Sequence, residues 1–192
     1  MAERTVSSSA ARRPPGKRQR GAVAIEFAAL FALFFTLVYR AIAYSVPMLL
    51  TLTFQHLAAD GARAAIRVDP ALAESDYSMI ISREVTAAID AGWLPRSWFD
   101  GNCPAPDSGY PWQSLPASDG HPSYGHLARQ DLAGEKFRYL LHVCVQRKYN
   151  SGGSPGENAI IPVLNLGVFE IPSLPSGSDG ETVLRGRTVI RL

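Results

Sequence analysis

Arg18-Gln19-Arg20-Gly21-Ala22-Val23-Ala24-Ile25-Glu26-Phe27 is the stretch on which the fold of this 192-residue chain turns. Basic residues stop at Arg20, and an apolar run starts directly after Gly21. Residues 22–39 number 18 and hold one charge, Glu26. That length is close to the ~20 residues with which an α-helix crosses the hydrocarbon of a bilayer. A carboxylate at the middle of such a span costs about 2.5–3.5 kcal/mol on insertion scales, so its retention points to a partner.

Working outward, the charge of the chain divides unevenly. Residues 1–21 carry six basic groups (Arg4, Arg12, Arg13, Lys17, Arg18, Arg20) against Glu3, a net +5. Of the chain's 19 basic and 17 acidic residues this leaves thirteen and sixteen, a net −3, for residues 22–192. The basic leader predicts a cytoplasmic N-terminus with the C-terminal body outside, and it suits contact with anionic lipid. The acidic body lacks the basic stripe of a nucleic-acid binder.

Beyond Arg40, residues 41–54 are again mostly apolar. A helix over 22–54 would be roughly 50 Å long, against a hydrocarbon core of about 30 Å. The second half must therefore leave the membrane and bury its apolar surface against protein. Arg40 then falls near the far interface, where its side chain can snorkel. Pro47 is expected to kink the helix or end it locally. A cleaved signal peptide with Ala41-Ile42-Ala43 as its A-x-A site is the rival reading. Glu26 in the apolar region, Arg40 beside the cut and the apolar continuation all weigh against it.

Residues 54–68 continue the helix with Ala58, Ala59, Gly61, Ala62, Ala64 and Ala65, small residues that suit either close helix approach or plain helix propensity. Asp69 as N-cap and Pro70 at the first helical position predict a second helix running to about Ala91. Tyr77, Ile81, Val85 and Ile89 lie along one face of it, and Gly92 is its stop. Residues 93–134, rich in Pro, Gly, Ser and aromatics, read as a long irregular loop. Its Trp93, Trp98, Tyr110 and Trp112 form either a binding platform or, the favoured reading, a cap on the core. Residues 136–149 alternate as a half-buried strand, with Phe137, Tyr139, Leu141, Val143 and Val145 on one face. Residues 151–158 are a turn, and 159–171 a second strand that Pro162 confines to an edge or bulge. Residues 182–192 close the chain, with Leu184, Thr188, Ile190 and Leu192 facing one way and Arg185, Arg187 and Arg191 the other. The predicted class is α+β: a long N-terminal transmembrane helix continuing into an extracytoplasmic helix, a second helix, then a small antiparallel sheet. The predicted domains are a basic cytoplasmic leader at 1–21, a hydrophobic transmembrane helix at 22–54 and an extracytoplasmic α+β domain at 55–192.

Cys103 and Cys144 belong to no CxxC or Cys/His cluster, which argues against zinc. In an exported body they pair; the alternative is two buried free thiols. The four histidines, His56, His121, His126 and His142, form no metal-binding or catalytic motif, and His121 and His126 are expected to be solvated. No nucleophile elbow, Walker loop or dinucleotide fingerprint is present. The expectation is a protein without catalytic residues, metal or cofactor.

The basic leader, Gly21 and the following AVAIEFAALF resemble the processing site of type IV prepilins. More specifically, residues 20–28 resemble the start of TadE-like pseudopilins of tight-adherence (Flp-type) pilus systems. The Ala-rich 56–67 segment with its arginines and the closing strand fit that family loosely. Arg40 and Pro47 are unusual inside such an anchor, and the body is longer than that of a major pilin, which favours a minor or accessory subunit. The resemblance implies cleavage by a prepilin peptidase between Gly21 and Ala22. It also implies Glu26 and Phe27 as helix-pairing residues, and other pilins, pseudopilins and the assembly machinery as partners in the inner membrane. The cut would give Ala22 an α-amino group able to pair with Glu26 of a neighbouring subunit. An unprocessed bitopic anchor, with Glu26 reaching the cytoplasmic headgroups and a ligand- or partner-binding module outside, is the competing reading.

Overall fold

The computed structural model describes residues 20–118, 120–133, 136–150, 159–162, 164–165, 170–171, 174 and 181–192. The leader up to residue 19 and the 151–158 turn lie outside the described residues. The architecture is α+β, as the sequence implies: a long helix, a second helix and a four-stranded antiparallel sheet. The chain forms two compact units, Met1–Tyr39 and Arg40–Leu192.

Helix α1 (Arg20–Ala65) contributes to both. In the first unit its side chains from Val23 to Val38 are almost all exposed, phenylalanines and leucines included. An exposed apolar surface of this kind is stable in hydrocarbon and not in water. Among the described residues this is the one helix long and apolar enough to cross a membrane.

In the second unit α1 buries one stripe, Ala43, Pro47, Leu50, Phe54, Leu57, Ala58, Ala62 and Ala65. The spacing of three to four residues is that of a helix with one face on a core. The helix does not end at Pro47. The proline's missing N–H forfeits one backbone bond, but its ring is buried and its carbonyl still accepts the Thr51 hydroxyl at 2.9 Å. The small residues do serve close approach: a Cβ on Gly61 would lie 3.2 Å from Val85 and 3.4 Å from both Ile89 and Val143.

Helix α2 (Glu74–Asp90) buries Tyr77, Ile81, Val85 and Ile89 as its periodicity requires. It starts later than Asp69-Pro70 suggested. The Asp69 carboxylate accepts the Ala71 N–H at 2.9 Å and so closes a turn rather than capping a helix. The helix begins where Glu74 and Asp76 supply negative charge to its first turn. It ends at Asp90, and Gly92 follows under Leu57, whose Cδ2 a Cβ there would meet at 2.5 Å.

The sheet has the order β1 (Gln113–Ser114), β2 (Gly125–Asp131), β3 (Phe137–Lys148), β6 (Val183–Arg191). β4 (Leu164–Asn165) and β5 (Glu170–Ile171) pair separately. Residues 93–134 are therefore not all loop. Gly125–Asp131 is a strand held in register by the β3 ladder, from Gly125 opposite Val143 to Asp131 opposite Phe137. β3 is buried on both faces rather than one. Tyr139, Leu141, Val143 and Val145 join the cluster with α1 and α2, while Leu140, His142 and Cys144 are buried on the opposite side. The first half of the 93–134 segment covers that side.

Candidate functional site

Gly21 and Ala22 fall in the first turn of α1, and their side chains lie outside the described residues. Glu26 and Phe27 follow on the same helix, both exposed. Among the described residues Glu26 has no ion-pair or hydrogen-bond partner. Phe27 begins an i, i+4 aromatic ladder, stacking on Phe31 at 6.0 Å between ring centroids, with Phe31 then 4.4 Å from Phe35. The segment thus offers one bare carboxylate and a row of aromatic rings on an otherwise aliphatic helix.

The cysteines form a disulfide, Cys103–Cys144. Cys144 is central in β3, so the bond ties the loop to the middle of the sheet's second face. The attachment continues on both sides of it. Asp100 and Gln146 exchange backbone bonds at 2.7 and 2.9 Å, and the Gln146 amide donates to Gly101 O at 2.9 Å. The Trp112 ring meets His142 edge-on at 6.1 Å, with the His126 ring tilted against that of His142, 5.7 Å away on the neighbouring strand.

His142 is 3 % exposed, and among the described residues its Nδ1 finds no hydrogen-bond partner, nor does that of His126. Burial, then the His126 ring and the Arg187 and Arg185 guanidiniums, lower the His142 pKa to about 4; burial also lowers that of His126. His142 is therefore neutral at pH 7, and His126, on the strand Gly125–Asp131, is half-buried rather than solvated. His121 is no free side chain either. It lies against Arg96, which is paired with Asp90 at the C-terminus of α2, and its Nε2 is 3.9 Å from Asp90. Asp90 sits at the wrong end of a helix dipole, and Arg96 offsets this.

Three of the four aromatic residues, Trp93, Trp98 and Tyr110, do not cap the core as favoured, whereas Trp112 is half-buried and covers His142. Trp93 is 74 % exposed, Trp98 and Tyr110 are also exposed, and none of the four belongs to the buried cluster. From the same segment Leu94, Phe99, Leu115 and Tyr124 enter the core instead. Tyr110 packs on Trp112 at 6.2 Å, and Trp112 Nε1 donates to the Ser108 hydroxyl at 2.9 Å. A Pro/Gly-rich loop has no period, so nothing in its spelling separates inward from outward rings.

Among the described residues no group of three or more His, Cys, Asp or Glu could hold a metal. What the fold and these residues define is a membrane-length N-terminal helix joined in sequence to a disulfide-stapled α+β unit. Comparison with family models, with curated proteins and with solved structures finds no match.

Proposed function

We propose that this chain is a minor pilin or pseudopilin precursor, cut by a prepilin peptidase after Gly21 and active in assembly of a tight-adherence pilus. The carrying observation is the single carboxylate, Glu26, exposed and unpartnered among the described residues, five residues past Gly21 on an apolar helix. Cleavage creates an ammonium on Ala22, and a neighbouring subunit's ammonium satisfies Glu26. Loss of one member of a buried ion pair costs roughly 3–5 kcal/mol, enough to select one stagger between adjacent helices. The disulfide supports a body on the oxidising side of the inner membrane, and the basic leader supports a cytoplasmic N-terminus.

Intact mass of the membrane-extracted protein tests the processing step. The expected mature N-terminus is Ala22, and substitution of Gly21 should leave the precursor uncut. A mature chain starting at Met1 or Tyr44 overturns the proposal. The exposed Trp93 and Tyr110 favour the second reading, an uncut anchor that presents a binding module, and an N-terminus at Met1 supports that reading.

A further inference from the structure

Strand β6 lies at one end of the sheet order, and among the described residues no strand pairs with its outer edge. Tyr149 N–H donates to Thr182 O at 2.7 Å and Leu192 N–H to Tyr139 O at 2.9 Å, so the even-numbered residues of this segment face β3. In an antiparallel ladder the alternate residues turn away. Val183, Arg185, Arg187, Val189 and Arg191 therefore present their N–H and C=O groups to the outer edge.

A groove of about 660 Å³ runs along that edge, with Val183, Arg185 and Arg187 on one wall. The other wall is α1, with Met48 and Leu52, and Leu174 of the segment before β6 also lines the groove. The side chains of Arg185, Arg187 and Arg191 alternate with Leu184, Thr188 and Ile190 and so stand on the sheet face opposite the helices. Arg185 is held by Gln146, its Nε donating to Oε1 at 3.1 Å. Neither Arg185 nor Arg187 has a carboxylate partner among the described residues. Burial and the adjacent Arg187 both disfavour the charge on Arg185. The result is a strand edge whose backbone groups have no strand partner among the described residues, with an apolar shelf on one side and crowded positive charge on the other.

The geometry points to β6 as the docking edge for an extended segment of a protein partner whose residues alternate apolar and acidic. Its backbone would pair with the odd-numbered residues, its apolar side chains would lie on Met48 and Leu52, and its carboxylates would face Arg185, Arg187 and Arg191. Addition of a strand at a sheet edge draws affinity from main-chain bonds and specificity from alternate side chains. Charge excludes the simplest rival, a second copy joined β6 to β6. A twofold pairing would set the arginine rows on one face against each other, and like charges across strands destabilise. The inference stands whether or not the chain is cut at Gly21.

The test uses the full chain in detergent and two short probe peptides, one alternating valine and glutamate, the other valine and lysine. The glutamate peptide should bind about tenfold more tightly, and should slow hydrogen exchange at the amides of Val183, Arg185, Arg187 and Val189. The double substitution Arg185→Glu, Arg187→Glu should reverse the preference. Val189→Pro removes an edge N–H while sparing the β3 ladder, and should weaken both peptides. Equal binding of the two peptides, or no binding, overturns the inference. So does protection of those amides in the protein alone, which would mean that this chain or a second copy already fills the edge. Equal protection by phosphatidylglycerol nanodiscs without peptide would assign the groove to lipid and overturn it too.

Discussion

Gly186 of β6 lies directly on the backbone of Phe54 in α1: a Cβ placed there would stand 2.1 Å from the Phe54 carbonyl carbon and 2.3 Å from Gln55 N. The contact brings the edge strand against the helix stripe that also holds Leu50 and Leu57. The obstruction is backbone, not the far end of a flexible side chain, so it cannot swing aside. Gly186→Ala should therefore destabilise the second unit by about 3 kcal/mol or more, at the upper end of overpacking penalties. Thermal unfolding followed by circular dichroism checks this, and an unchanged midpoint would mean that the strand sits further from the helix.

Cys103 and Cys144, 41 residues apart, close a loop that contains most of the cover over the second face of β3. Opening it should cost roughly 3–4 kcal/mol in the chain-entropy model. The loss should be local in its first effect. Amides of residues 100–118 should exchange faster on reduction, before those of α2, whose buried face makes no use of the disulfide. Hydrogen exchange with and without reductant separates this from global unfolding, in which both regions would lose protection together.

The two parts of the fold differ in how plainly they are written. Tyr77, Ile81, Val85 and Ile89 repeat every four residues, and that period alone places them on one buried face, where they are found. The closing strand is equally legible, because its arginines alternate with aliphatic residues. β2 is not: His126-Leu127-Ala128-Arg129-Gln130-Asp131 has no β-branched or aromatic residue, and only its ladder with β3 makes it a strand. The burial of His142 is hidden for a related reason. Its cover, Cys103 and Trp112, comes from an aperiodic loop whose path is set by contacts distant in sequence. Of the candidate site, Gly21 and Glu26 are readable because an isolated charge in an apolar run needs no tertiary context. The β6 groove needs that context, since Met48 and Leu52 lie on α1, more than 130 residues before Val183.

His142 gives the protein an acid-sensitive element. Its pKa is 6.5 in an unfolded chain and about 4 in the fold, so the unfolded state takes up a proton at a higher pH than the folded one. Stability from this residue is complete above pH 6.5, falls as the pH drops from 6.5 towards 4, and levels off below that. The loss is at most roughly 3 kcal/mol. His126, shifted in the same direction, adds to the same slope. Urea midpoints between pH 7.5 and 4 should show the decline, and His142→Gln, which cannot take up a proton, should flatten it. An equally steep decline in that variant would place the acid sensitivity elsewhere.

Glu26 separates folding from assembly. It is exposed and unpartnered among the described residues, so Glu26→Ala should leave the disulfide and the thermal midpoint of the second unit unchanged. In the proposed assembly the same change removes one half of a buried pair. A cost of roughly 3–5 kcal/mol corresponds to a loss of some hundredfold or more in association. Surface pili counted by electron microscopy, together with the fraction of this protein that co-purifies with other pilins, should fall accordingly, while cleavage at Gly21 proceeds. Undiminished piliation with the alanine variant would sink the pairing mechanism and leave Glu26 as a headgroup-facing residue of an ordinary anchor. A fall in piliation accompanied by loss of cleavage would instead make Glu26 a recognition element for the peptidase.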